Sequence, residues 1–351
     1  MDVVLHIGMP KNGSTALQET LTANRDELSK QNIHYPLRKS NSLARYNQQW
    51  LAAELHAEND WPRLVRDKYR KRRKDFRGYH SIIDEMEELI DQEGTLVLSS
   101  ESLFKPVDIN WSSRVIQLMD RARSVRIVAY VREPSEAYAS RVLQQLRHRA
   151  EIPSPRVIPY EKALNNWARK YPVDVIAYDR GRFYLNDIAA DFGLRYLGLT
   201  ESDTIRSSRE PKQNDRPSPE VMELVRAFRA KKYPQLENQP QEECLELTKR
   251  LSAMAGARFG KPSVQLHPHV REAVNQGQTG LAWLRRAHGI EFSGIDYNNL
   301  DEARLEEIAS PTSLADIMQI DAGKLAWLSV NGMLEHANKN RAKAWLRRLA
   351  R

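Results

Sequence analysis

Val3-Val4-Leu5-His6-Ile7-Gly8-Met9-Pro10-Lys11-Asn12-Gly13-Ser14-Thr15 is the stretch on which the fold turns. Its opening residues are an apolar run of strand length with β-branched side chains. Gly8 to Gly13 reads as a turn-rich loop. Beyond it, Leu17, Leu21 and Leu28 share one face of a helix running from Ser14 to Leu28. A strand, a glycine loop and a helix in that order make an anion site. Backbone N–H groups point outward at the helix N-terminus, and the helix dipole adds positive potential. Gly13 lets the backbone approach an oxyanion closely. Lys11 supplies a movable point charge. Ser14 and Thr15 supply hydroxyl donors or a helix cap, and Asn12 belongs to the same candidate site.

Working outward, Ile33-His34-Tyr35-Pro36 is a short extended piece ended by proline. Strong strand patterns follow at Thr95 to Ser100, Val125 to Val131 and Val173 to Tyr178, the last leading to a helix around Ile188 to Phe192. Strands separated by helical stretches of this length imply parallel βαβ units, so residues 1–200 are expected to form an α/β core with a central parallel sheet. Residues 40–92 are polar and mostly helical in composition, with a dense basic run from Arg63 to Arg77. Residues 201–219 read as a loop or linker containing Pro211, Pro217 and Pro219. Residues 220–351 read as a helical extension packed on the core. Its patterns are Val221 to Phe228, Cys244 to Met254, Gly280 to Ala287, and a short basic amphipathic helix from Ala342 to Arg351.

Composition bounds the possibilities. The 351 residues are 41% hydrophobic and 28% charged, which suits a globular chain and excludes a wholly disordered one. A lone Cys244 excludes an intramolecular disulfide and a zinc site built on several cysteines. His267 and His269 lack supporting ligands, and no metal is expected. No apolar run reaches the roughly 20 residues needed to span a bilayer. The strand at Val3 leaves no room for a secretory leader, so the expectation is a reducing, cytoplasmic setting. A formal charge of +8 favours anionic partners.

The loop departs from a Walker A sequence, which needs Gly-Lys-Ser/Thr in succession. Gly-x-x-Lys-x-Gly-Ser-Thr after an apolar strand instead resembles the 5′-phosphosulfate loop of sulfotransferases that use 3′-phosphoadenosine 5′-phosphosulfate (PAPS). A second motif strengthens the resemblance. The strand ending at Val131 runs into Arg132-Glu133-Pro134, and Ser140 follows eight residues after Arg132. This resembles the Arg–Ser motif that holds the 3′-phosphate in that family. Arg132 offers a planar fork to a phosphate, and Pro134 can start a helix. Taken singly, Arg132 could pair with Glu133 or Glu136, and Ser140 could be a solvated helix serine. The resemblance covers residues 1 to about 200 and is closest to the bacterial, carbohydrate-type branch. It implies a P-loop-like three-layer α/β/α fold and a transferase that moves a sulfuryl group from PAPS to an acceptor hydroxyl or amine. The acceptor would be a small molecule or glycan, a glycolipid included, and the product adenosine 3′,5′-bisphosphate. It places Lys11 at the leaving-group oxygen and the loop hydroxyls at the 5′-phosphate. Tyr178 matches a tyrosine near the adenine. Arg206, Arg209 and Lys212 fall where family members carry a basic loop over the 3′-phosphate; Arg209 is the candidate, although the usual Arg-Lys-Gly order is absent.

Two residues are candidates for the general base. Glu101 follows a strand end as Ser99-Ser100-Glu101, a position that fits the glutamate base of carbohydrate-type members in kind; a helix-start glutamate is the other reading. His34 is the second candidate, or an ordinary turn histidine. His6, inside a buried strand, reads as a hydrogen-bonded structural residue. Two further readings stay open. One is a small-molecule or nucleoside kinase with a variant loop, which would require Mg²⁺ ligands. The other is a non-enzymatic basic surface binder; here the Arg63–Arg77 run and the C-terminal helix give the possibility of peripheral membrane contact. No nucleic-acid motif is present.

Overall fold

The computed structural model describes residues 1–37, 48–61, 66, 77–201, 203, 205, 217–235, 241–308 and 310–332. The chain divides into two compact units. The first comprises Met1–Glu133, Ile158–Arg209 and Thr279–Tyr297; the second comprises Pro134–Val157, Glu210–Gln278 and Asn298–Arg351. The chain thus enters the second unit at Pro134, well before the linker read at 201–219, and a later segment returns to the first.

The first unit is built on five parallel strands in the order β2-β3-β1-β4-β5. These are β1 (Asp2–His6), β2 (Ile33–His34), β3 (Thr95–Ser99), β4 (Ser124–Val131) and β5 (Val173–Ala177). β1 is central: His6 lies opposite Ser99 on one side and Val128 on the other. Parallel strands buried on both faces carry continuous apolar runs rather than alternation, which is why β1, β3 and β4 were legible as such. One face carries Val4, Val97, Val128 and Tyr130, packed with Leu17 and Leu21 of α1 (Ser14–Ala23), Leu28 of α2 (Arg25–Lys30) and Phe192. The opposite-facing Leu5, Leu98, Ile127 and Ala129 are equally buried, so helices cover both faces of an α/β/α arrangement.

The single helix expected from Ser14 to Leu28 is broken at Asn24, whose side chain bonds back to the Thr20 carbonyl. Leu28 is buried on α2 nonetheless. Further helices of this unit are α3 (Leu51–Leu55), α4 (Arg77–Leu89) and α5 (Arg114–Met119). The second unit contributes α6 (Pro134–Gln145), and the first then resumes with α7 (Tyr160–Ala168) and α8 (Ile188–Tyr196). The second unit continues with α9 (Pro219–Lys232), α10 (Glu242–Phe259) and α11 (Pro268–Gln276), whereas α12 (Gly280–His288) belongs to the first. Tyr138, Val142 and Leu146 pack there with Val221, Val225, Cys244, Leu251 and Val274 in a core of its own. Among the described residues no helix is long and apolar enough to cross a membrane. Most of the Arg63–Arg77 run, the 201–219 linker and all of 342–351 lie outside the described residues.

Candidate functional site

Order β2-β3-β1-β4-β5 makes the connection leaving β1 run one way and those leaving β3 and β4 run the other. In open α/β sheets such a reversal opens a crevice beyond the C-terminal strand ends, where ligands sit. Here those ends deliver the Gly8–Thr15 loop after β1, Ser100 and Glu101 after β3, Arg132 after β4 and Tyr178 after β5.

The loop is held in an unusual backbone shape. Gly8, Lys11 and Gly13 all have positive φ, at 76°, 75° and 76°. Glycine adopts this freely, whereas lysine does so at a steric cost. At Gly8 a Cβ would stand 2.6 Å from Glu101 Cα, so the segment after β3 packs directly on the loop backbone. At Gly13 it would meet the Tyr178 ring at 3.1 Å. Gly13 is also the N-cap of α1, and no side chain caps that helix. Gly13 thus offers the first-turn N–H groups no side-chain cap, which suits a helix start that receives an anion.

Side chains converge on the loop. Ser14 Oγ donates to Glu101 Oε2 at 2.5 Å. Arg132 Nη1 donates to the Lys11 carbonyl at 3.3 Å, and its guanidinium lies 5.4 Å from the centroid of the Tyr178 ring. Asn12 is fully buried; its Nδ2 donates to the Tyr130 carbonyl at 2.5 Å, while Oδ1 is buried without a partner. Thr15 is exposed on the first turn of α1.

Beneath the loop lies a buried polar network in which His6 is the hydrogen-bonded structural residue expected, while Gln18 and Gln48 were not anticipated. His6 Nδ1 is 2.8 Å from Ser99 Oγ. Gln18 Nε2 donates to the Ser99 carbonyl at 2.9 Å, and the Ser99 N–H donates to Gln48 Oε1 at 2.7 Å. Burial pushes the His6 pKa down to about 3, so the imidazole is neutral there. Gln18 and His6 interrupt an apolar helix stripe and an apolar strand, and that interruption is the one signal a sequence carries for such a network. Tyr160, also missed, is buried and donates to the Arg132 carbonyl at 3.1 Å, fixing the end of β4.

Lys11, Asn12, Gly13, Ser14, Glu101, Arg132 and Tyr178 are thus brought together. His34 is not among them. It pairs in register with Leu96, three residues before Ser99, which is roughly 10 Å back along the sheet. Its pKa is lowered by partial burial, partly offset by Glu85. Ser140 lies half-buried on α6 in the second unit. Arg206, Arg209 and Lys212 lie outside the described residues. Among the described residues no group of three or more His, Cys, Asp or Glu side chains is placed to hold a metal ion. No family model matches the chain, and neither the curated proteins nor the solved structures give a match.

Proposed function

We propose that the chain is a PAPS-dependent sulfotransferase acting on an acceptor hydroxyl or amine. The observation that carries the reading is the convergence of the Lys11–Ser14 loop, Glu101 and Arg132 at the C-terminal edge of one parallel sheet. The first-turn N–H groups of α1, with Ser14 and Thr15, would receive the 5′-phosphate. Arg132 would take the 3′-phosphate, and Tyr178 would flank the adenine. In the transfer, the acceptor oxygen forms a bond to sulfur as the bond from sulfur to the 5′-phosphate oxygen breaks. The electron pair departs on that oxygen, where Lys11 offsets the developing charge. Glu101 takes the proton from the acceptor hydroxyl. Arg132 is pre-oriented for this work by its bond to the Lys11 carbonyl and by the Tyr178 ring.

One contact favours a second reading. In P-loop nucleotide hydrolases the loop hydroxyl and an acid at a neighbouring strand end share Mg²⁺, and Ser14 and Glu101 stand in those relative places. The displaced lysine weighs against it, since Gly13 rather than a lysine immediately precedes Ser14.

Calorimetry separates the two. Metal-free titration with adenosine 3′,5′-bisphosphate should show micromolar binding in the native chain and loss of it in Arg132→Ala. Absence of binding in the native chain, together with Mg²⁺-dependent ATP binding, would replace sulfuryl transfer by phosphoryl transfer. Acceptor class, a glycan or glycolipid included, is then a matter for screening, as are cytoplasmic placement and contact with membrane surfaces.

A further inference from the structure

The second unit holds a cluster of arginines that neither motif predicts. Segment 146–157 folds back along α6. Tyr138 OH donates to the Pro153 carbonyl at 3.0 Å, and Arg141 Nη2 donates to the Ser154 carbonyl at 2.6 Å. That return sets Arg156 two residues beyond the Ser154 carbonyl that Arg141 holds, and Arg149 one turn beyond Gln145. Arg149 is tied by its N–H to the Gln145 carbonyl at 3.0 Å, and the Arg156 carbonyl accepts from Gln278 at 3.2 Å. The charges feel one another: burial, then Arg156 and Arg149, press the Arg141 pKa below its ordinary value. Among the described residues no ion pair joins Arg141, Arg149 or Arg156 to a carboxylate. Tyr138 stacks its ring against Arg141 at 5.6 Å, covering one face of the guanidinium.

Two more atoms point the same way. Arg141 Nε, a donor, and Gln145 Oε1, an acceptor, are both buried and unpartnered. They belong to residues one helical turn apart on α6, and so share a face. An orphaned buried donor destabilises the fold, and like charges gathered in a partly dry place repel. A ligand that accepts from guanidinium groups and carries a hydroxyl for Gln145 removes both costs.

We propose that Arg141, Arg149 and Arg156 form a binding site for a phosphate monoester or diphosphate, separate from the loop site of the first unit. Planar guanidinium forks match phosphate oxygens in pairs. A protonated phosphate oxygen supplies the hydrogen that Gln145 accepts. The inference does not depend on sulfuryl transfer, because every residue in it lies in the second unit.

The test uses the full chain and inorganic pyrophosphate as probe. In a Lys11→Ala, Arg132→Ala background, which disables the loop site, calorimetry should still find one pyrophosphate per chain. Adding Arg141→Gln and Arg149→Gln should weaken it by about tenfold or more, the loss of charge-assisted bonds. No binding in that background, or binding indifferent to the arginine changes, overturns the proposal. A second measurement stands apart from the background variant. Arg149→Gln alone, without ligand, should raise the melting temperature by about 1–3 °C as repulsion is relieved. A fall would mean that the arginines hold the fold rather than a ligand, and would also overturn it. Failure here leaves binding of adenosine bisphosphate at the loop untouched, so the two readings fail separately.

Discussion

Ser14 and Glu101, far apart in sequence, share a hydrogen bond of 2.5 Å that ties the first turn of α1 to the end of β3. A carboxylate therefore stands at the mouth of a loop whose geometry favours anions. The two roles compete. As an acceptor for Ser14, Glu101 occupies a hydroxyl that a phosphate would use; as a base, it must be free to meet an acceptor proton.

Glu101→Gln separates these roles. Glutamine keeps the size and one acceptor oxygen but removes the negative charge. Turnover should fall by about 10²- to 10⁴-fold, the usual contribution of a positioned base. Affinity for adenosine 3′,5′-bisphosphate should rise severalfold, because a repelling carboxylate is gone. Unchanged turnover would remove Glu101 from the chemistry and leave it a structural partner of the Ser14 hydroxyl.

The close packing of this segment on the loop gives a prediction about stability. Gly8→Ala places a methyl group 2.6 Å from Glu101 Cα, where backbone rather than a side-chain tip must yield. With φ at 76° as well, the loss should be about 2–4 kcal/mol. Gly13→Ala meets the Tyr178 ring at 3.1 Å, which can rotate aside, so it should cost about 1 kcal/mol, mainly in backbone conformation. Urea unfolding midpoints report both. Equal losses would show that the Glu101 segment moves as freely as the tyrosine.

Sequence pattern was legible where the physics is local. The apolar runs of β1, β3, β4 and β5 and the glycine loop need only neighbouring residues to be recognised. Strand ends carrying Arg132 and Glu101 followed from them, and the sheet brings those residues to the loop. What escaped was non-local. Pro134 reads as the start of a helix after β4, and that helix belongs to the second unit, whereas α7 lies in the first. Nothing in the periodicity of either helix distinguishes these fates. The Asn24 break was hidden because Leu28 keeps the apolar stripe going across it. His34 reads as a candidate base or an ordinary turn histidine, and register sets it far back from the loop. Arg141, Arg149 and Arg156 are scattered through ordinary sequence and become a cluster only when segment 146–157 folds back on α6.

Histidine burial predicts acid sensitivity in the first unit. His6 is held neutral in the fold, with its pKa lowered from 6.5 to about 3, and burial likewise lowers His56 to about 4. Below pH 6.5 the unfolded chain takes up protons that the folded chain refuses. Stability is therefore full above pH 6.5 and falls as pH drops toward the folded values. Between pH 6.5 and 5 the His6 contribution is about 2 kcal/mol. The difference in urea midpoint between the native chain and His6→Gln should shrink as the pH is lowered over this range. A difference independent of pH would mean that the fold does not hold His6 neutral below its ordinary pKa.

Lys11 puts function and stability in opposition at a single residue. Its φ of 75° is a conformation that a side chain disfavours by about 1–2 kcal/mol. Such strain is characteristic of sites where the conformation is itself needed. Lys11→Gly removes that penalty, while the added freedom of the unfolded glycine takes back about 0.5–1 kcal/mol. The variant should unfold at the same urea concentration or slightly higher, yet, on the proposed reading, lose sulfuryl transfer because no cation would meet the leaving oxygen. Lys11→Ala shares the loss of activity but keeps the backbone strain, so it should be the less stable of the two. The pair thus separates the charge from the backbone. A Lys11→Gly chain that retains transfer would show that the strained lysine serves only the turn, and the catalytic cation would then have to be Arg132.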